Sequence, residues 1–264
     1  MKLAAGLVHY RHPEQTAALV QQLQRIDIID PIVVVLHSEY PLRGASSRTI
    51  YLPKENRGYA AGLNLAARYV EQNHPQITVM LAMNCDVQLE EAQLQQLLQS
   101  HFQAGADCTF PVIEEGKELI HGYRFNRWGT MQRVTDNPRF FPGTCFLFNL
   151  SAWKKAGGFN EEYFHYYEDA DFCLRLYQAG CKIYHEPAVV VKHQGKSAED
   201  YPAGDLPRYA VRNHLRFLVQ LGQMNAISFA NVSLRHLLYL FRWKHGWRGI
   251  GQWFRGIQDF RKVR

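Results

Sequence analysis

The sequence lacks any cysteine pair at C-x-x-C spacing. Its five cysteines, Cys85, Cys108, Cys145, Cys173 and Cys181, are odd in number and well spread. That argues against a disulfide framework and against a zinc knuckle, and fits reduced thiols in a cytosolic protein. No uninterrupted apolar run is long enough to span a bilayer. The opening run, Met1 to Gly6, meets His9, Arg11 and His12 too early for a signal peptide. The expected location is therefore cytoplasmic. The P-loop and dinucleotide fingerprints are missing, as are internal repeats and low-complexity tracts. A hydrophobic fraction of 47% with 20% charged residues gives no compositional case for disorder.

What is present is a basic chain, of net charge +6 and pI about 9.0. That excess suits anionic partners such as nucleotide phosphates, acidic lipid or nucleic acid, without choosing among them. A length of 264 residues fits one large α/β domain, or one domain with an appendage.

Apolar runs at Leu3 to Val8, Ile32 to Leu36, Thr49 to Leu52 and Ile77 to Ala82 read as strands. Helical patterns alternate with them: from Pro13 (Ala17, Leu19, Val20, Leu23), Gly58 to Tyr69, and Glu90 to Phe102. Alternation of this kind predicts a mostly parallel sheet with right-handed crossovers. From Asp107 the pattern changes. Cys108 to Ile113 and Thr144 to Phe148 read as strands, Leu119 to Val134 as a hairpin or irregular insert, and Ser151 to Ala156 as a short helix. A helix follows from Glu168, then a strand from Ile183 to Val191 broken at Pro187.

The organisation expected is a catalytic domain over residues 1–206 and a basic, aromatic helical region over 207–264. The latter carries Arg208, Arg212, Arg216, Arg235, Arg242, Lys244, Arg248, Arg255, Arg261, Lys262 and Arg264. Its apolar residues are Leu237, Leu238, Tyr239, Leu240, Phe241, Trp243, Trp247, Trp253 and Phe254. Two readings stand: helices lying on an acidic membrane surface, or helices packed on the domain with their arginines in water.

In sheets of this kind ligands bind beyond the carboxyl ends of the strands. Weight therefore falls on His9-Tyr10-Arg11, Asn56-Arg57-Gly58 and Asn84-Cys85-Asp86. Asp86 can hold a hard divalent cation, or merely cap the Glu90 helix. His193, after Val189-Val190-Val191-Lys192, is a ligand candidate or a surface residue. The stretch Asn56 to Asn64 offers helix N–H groups to an anion, or is only a well-packed helix start. Glu168, Asp169 and Asp171 place three carboxylates in four positions at a helix start, for chemistry or for capping.

Taken together these stretches resemble the family 2 glycosyltransferases with a GT-A fold, in particular the bacterial rhamnosyltransferase-like branch. The matching pieces are Asn56 to Asn64, Asn84-Cys85-Asp86, Pro142 to Phe148, Ala156 to Glu161, Tyr167 to Asp171 and His193 to Ser197. They occur in order over roughly residues 3–200.

The resemblance implies an α/β GT-A domain with a Rossmann-like, mostly parallel mixed sheet and a C-terminal helical appendage. It implies transfer of a sugar from a UDP- or dTDP-sugar to a glycan or lipid-linked acceptor, with Mg2+ or Mn2+. The setting would be surface polysaccharide synthesis, such as lipopolysaccharide or capsule, at the inner membrane face, with no nucleic acid involved.

In these roles Asp169 is the catalytic base with Glu168 beside it, and Asp171 is a helper or a structural carboxylate. Asp86 and His193 meet the metal on the donor diphosphate. His9, Arg11, Asn56, Arg57, Gly58, Asn64, Asn84, Gly143, Thr144 and Asp171 are the donor-binding candidates. Asn84 stands where the family carries the first Asp of its Asp-x-Asp motif. The family's Asp after the second strand is also missing, and His37 or Glu39 is the candidate substitute.

The chemistry needs a carboxylate to take the acceptor hydroxyl's proton and a positive charge on the leaving diphosphate. Base and leaving group on opposite faces imply inversion at the anomeric carbon. A nucleotidyltransferase would carry a Gly-rich, Lys/Arg-containing loop at the first strand, and His9-Tyr10-Arg11-His12-Pro13 offers none. A non-catalytic membrane- or nucleic-acid-binding module is the other alternative.

Overall fold

The computed structural model describes residues 2–39, 46–195, 205–242 and 246–262. Lys196, Ser197, Trp243, Lys244 and Arg264 lie outside the described residues, as do the side chains of Phe241, Arg242, Trp247 and Arg248. All statements below concern the described residues.

The chain begins with strand β1 (Leu3–His9), helix α1 (Pro13–Gln24), β2 (Ile29–Leu36), β3 (Thr49–Pro53), α2 (Tyr59–Asn73) and β4 (Val79–Met83). The four strands pair in parallel in the order β3-β2-β1-β4. β1 is apolar from Leu3 to Val8 because helices cover both of its faces. Leu3, Ala5 and Leu7 join Leu19, Val20 and Leu23 of α1 on one side. Ala4 joins Ala60, Leu63, Ala66 and Ala67 of α2 on the other. The small residues of α2 allow a close approach: a Cβ on Gly62 would lie 2.6 Å from a methyl of Val8.

A two-residue strand, β5 (Val87–Gln88), precedes α3 (Glu91–Gln103). It is too short to leave a periodic signal and is new relative to the sequence reading. α3 is closed by a capping box between Glu90 and Gln93. The N-cap of this helix is Glu90, so the N-cap reading of Asp86 fails.

The second half adds β6 (Cys108–Glu115), β7 (Glu118–Ile120), β8 (Tyr123–Phe125), β9 (Met131–Arg133) and β10 (Cys145–Asn149). Then come α4 (Leu150–Lys155), α5 (Glu168–Gln178) and β11 (Ile183–His193). β10 runs antiparallel between β4 and β6, and β11 lies parallel to β6, so the main sheet is mixed. Pro187 does not break β11. The strand runs through it, with a register shift against β6 between Glu186 and Val190 that accommodates the missing N–H. The insert is partly regular, since β7 extends the main sheet and β8 and β9 form a separate hairpin.

Three helices end the chain: α6 (Leu206–Gln220), α7 (Ala226–Arg242) and α8 (Gly246–Lys262). Val211, Leu215 and Leu218 of α6 share an apolar cluster with Val232, Ile257 and Phe260. Phe217, from the same helix, is buried in the cluster built by β6, β10 and α5. Arg208 pairs with Asp259 at 2.6 Å, tying α6 to α8. Yet Ile227, Leu234 and Leu238 of α7 remain exposed. Their spacing of seven and four residues puts them on one stripe.

Candidate active site

A cavity of about 710 Å³ opens at the carboxyl ends of β1 and β4. Its wall includes Arg11, His37, Asn56, Gly58, Asn84, Asp86, Gly143, Thr144, Glu168, Asp169 and His193. Ten sequence-derived candidates thus share one cleft, and so does His37, the suggested substitute after β2. Glu39 does not reach it.

The metal candidates come from two strand ends and a turn. Asp86 follows β4 and is buried, and its carbonyl accepts the backbone N–H of Gln194. His193 ends β11, with Nε2 3.2 Å from Asp86 Oδ2. On its other side Nδ1 lies 3.5 Å from Glu115 Oε1, the register partner on β6. A carboxylate on the far imidazole nitrogen is the usual way to orient a metal-binding histidine. No group of three or more His, Cys, Asp or Glu among the described residues has metal-holding geometry. The protein supplies a carboxylate–imidazole pair, which fits a cation that takes its other oxygens from a diphosphate and water. Glu115 escaped the sequence reading, although its place at a strand's carboxyl end was a usable signal.

Across the cavity stand Glu168 and Asp169, at the start of α5. Neither occupies the N-cap position, which is Tyr167 and makes no side-chain cap bond. Asp169 Oδ2 accepts the N–H of Gly143 at 2.9 Å, and Oδ1 accepts that of Ala170 at 2.7 Å. Burial raises the Asp169 pKa, and these two donors oppose the rise. Glu168 is pushed up to about 8, first by burial and then by the charge of Asp169. Its Oε2 is buried with no hydrogen-bond partner among the described residues. With its pKa pushed up to about 8, Glu168 keeps its proton at neutral pH, while the two backbone donors favour the charged form of Asp169 against the effect of burial.

The turn before this helix is strained. Tyr166 and Tyr167 have φ of 68° and 72°, left-handed values that bulky residues avoid. Such conformations cost about 1–3 kcal/mol each and persist only where the surroundings enforce them. Gly58 (φ 95°) sits against this loop: a Cβ there would lie 2.3 Å from the Phe164 carbonyl oxygen. Next to it, Tyr59 donates its hydroxyl to the Gly143 carbonyl at 3.1 Å, which ties α2 to the segment that meets Asp169.

Four candidates are corrected. His9 is fully buried and bridges elements, with Nδ1 2.7 Å from Thr16 Oγ1 and Nε2 3.2 Å from Ser38 Oγ. Arg57 lies off the cavity, 3.7 Å from Glu161. Asn64 is saturated. Its Nδ2 donates to the Phe159 carbonyl and to Glu161, and its Oδ1 accepts from the Phe159 N–H and from Trp153 Nε1. Four bonds exhaust a carboxamide's usual capacity, leaving nothing for a ligand. Asp171 is buried against Arg175 at 2.7 Å, and Arg175 in turn binds the carbonyls of Ala156 and Gly158. These two residues secure the Gly157-Gly158 turn.

The cavity also takes Asp205, Leu206 and Tyr209 from the third, C-terminal part of the chain. Tyr209 stacks on Phe164 with ring centroids 5.0 Å apart. Nothing local in the sequence signals this long-range contact.

The mixed sheet, with its antiparallel β10, is that of a GT-A fold. The chain superposes on a solved structure of GalNAc-T7 with UDP, GalNAc and Mn2+ at a TM-score of 0.65, with 10% identity. The match covers 83% of this chain and 48% of that one. A mannosyltransferase from Pyrobaculum calidifontis, in complex with GDP-Man and Mn2+, matches at 0.56 and 12% identity, covering 100% of this chain and 76% of that one.

Residues 109–246, just over half of the chain, match the model described as glycosyl transferase family group 2, and the protein belongs to that family. The N-acetylglucosaminyl-diphospho-decaprenol L-rhamnosyltransferase of Mycobacterium tuberculosis is 36% identical over 104 residues, 36% of this chain and 34% of that one. The rhamnosyltransferase WbbL of Escherichia coli is 28% identical over 91 residues, 34% of each. The low-salt glycan biosynthesis hexosyltransferase Agl10 of Haloferax volcanii is 25% identical over 143 residues, 48% of this chain and 46% of that one. The matched stretch is thus about a third of the length of the two rhamnosyltransferases.

Proposed function

We propose that this chain is an inverting glycosyltransferase that moves a hexosyl or rhamnosyl group from a UDP- or dTDP-sugar to a hydroxyl of a glycan or lipid-linked acceptor. The observation that carries this reading is the shared cavity, with the Asp86–His193 pair on one wall and the Glu168–Asp169 pair on the other. Asp86 and His193 would hold Mg2+ or Mn2+, which when bound offsets the negative charge gathering on the leaving diphosphate. Asp169 takes the proton of the attacking hydroxyl, and its two backbone donors keep its lone pairs aimed. Glu168, neutral at the same pH, spares Asp169 a second adjacent charge. Arg11 and His37 line the end of the cavity where a nucleoside would lie.

The setting proposed is surface polysaccharide synthesis at the inner membrane face. No helix among the described residues is long and apolar enough to cross a membrane. Exposed Ile227, Leu234, Leu238, Tyr239 and Phe254, beside exposed Arg235, Arg255, Arg261 and Lys262, suit peripheral contact with anionic lipid.

Thermal shift against a panel of nucleotide sugars, with and without Mn2+, tests this reading. A UDP- or dTDP-sugar should raise Tm strongly with the metal and weakly without it. A panel with no metal-dependent shift contradicts it, and pyrophosphate in place of nucleoside diphosphate among the products would point to a nucleotidyltransferase.

A further inference from the structure

The strained turn at Tyr166 and Tyr167 has its restraint outside the cavity. Asn213 of α6 is fully buried and does not line the cavity. Its Nδ2 donates to two successive carbonyls, His165 at 2.8 Å and Tyr166 at 3.0 Å. Its Oδ1 accepts from Arg212 Nε at 2.8 Å, which fixes which end of the carboxamide faces the turn. The next residue on α6, His214, stacks on the Tyr167 ring at 5.0 Å, and Phe217 lies 5.8 Å from that ring. Arg212 Nη2 also donates to the Glu162 carbonyl, and Gln220 accepts from the Tyr163 hydroxyl at 3.0 Å. One helix thus grips most of the loop leading into the acidic pair.

We infer that Asn213 is a positioning residue for Asp169: by holding the His165 and Tyr166 carbonyls it keeps the left-handed turn that delivers the carboxylate to the Gly143 N–H. The inference rests on Asp169 being the base. Two consecutive aromatic residues do not keep positive φ unaided, because glycine alone visits that region freely. A chain free to relax there would carry the first turn of α5 with it. A displacement of about 1 Å at a reacting group can lower a rate by about 10²-fold. Helix α6 is thereby part of the catalytic apparatus rather than an appendage.

The test uses the full chain with Asn213→Asp, which keeps the shape and removes both donors, and Asn213→Ser in case the first variant fails to fold. Four readouts are taken: kcat for sugar transfer, affinity for UDP or dTDP with Mn2+, Tm, and hydrogen exchange by segment. The expected result is a kcat lower by about 10–100-fold, with nucleotide affinity within about twofold of the unmodified chain. Exchange should accelerate in residues 164–169 and stay unchanged in β1, β4 and β10. A kcat within about twofold of the unmodified chain overturns the inference. So does a kcat that falls only in step with nucleotide affinity and Tm, since that marks general loosening. If the unmodified chain binds nucleotide sugar yet transfers nothing, the catalytic reading fails and this inference falls with it. An active unmodified chain with indifferent variants overturns the inference alone.

Discussion

Asp169→Asn should lower kcat for sugar transfer by about 10²–10⁴-fold while leaving donor affinity within about twofold. The loss corresponds to about 3–5 kcal/mol of transition-state stabilisation. The variant keeps the size of the side chain but cannot take a proton. It also gives up one of the two backbone bonds, because a carboxamide has a single accepting oxygen where Asp169 uses both of its own. Stability is the control. Burial raises the Asp169 pKa, so removing the charge offsets part of the cost of the lost backbone bond, and any fall in Tm should be small.

The pH profile carries the same logic. Only the deprotonated base accepts a proton, so kcat/KM in the unmodified chain should rise as pH passes the raised Asp169 pKa. The variant should lack that limb. Stability runs the other way. Glu168 keeps its proton up to about 8 in the fold against 4.5 for the free group. Between these values the unfolded chain has released a proton that the folded chain retains, so this residue's contribution to stability falls as pH rises. Rate and stability measured across pH 5–9 would separate the two carboxyls.

The second large effect concerns the opposite wall. Asp86→Asn should weaken Mn2+ affinity in the presence of UDP or dTDP by more than about tenfold, and kcat/KM should drop by at least as much. Asp86 is buried, with Oδ2 3.2 Å from His193 Nε2, so the substitution changes charge and not bulk. Isothermal titration of Mn2+ gives the affinity directly, without relying on turnover. Unchanged Mn2+ affinity would remove Asp86 from the metal site. Affinity lost with transfer intact would separate the cation from catalysis.

Much of the architecture was legible because parallel strands covered on both faces carry long apolar runs, as β1 does over Leu3 to Val8 and β2 over Ile32 to Leu36. Strand-end residues such as Asp86, His193 and Asn84 were legible by the same rule, since the carboxyl ends of such strands converge. Legibility failed where motif and site part company. Asn64 and Asp171 lie in stretches that match the family, yet their work is to lock the Gly157-Gly158 turn, which no single-residue reading distinguishes from ligand binding. His9 sits at the right strand end but faces Thr16 on α1. Tyr209 and Asn213 were hidden for a different reason. They reach the site from more than forty residues away, and no local period encodes a contact of that kind.

The account turns on a single in-line displacement across this cavity. Its most direct measurement is the anomeric configuration of the transferred sugar, read by NMR on the intact glycoside product. The account predicts complete inversion relative to the nucleotide-sugar donor. Retention would contradict it, because a double displacement would need an enzyme nucleophile where Asp169 is placed as a base.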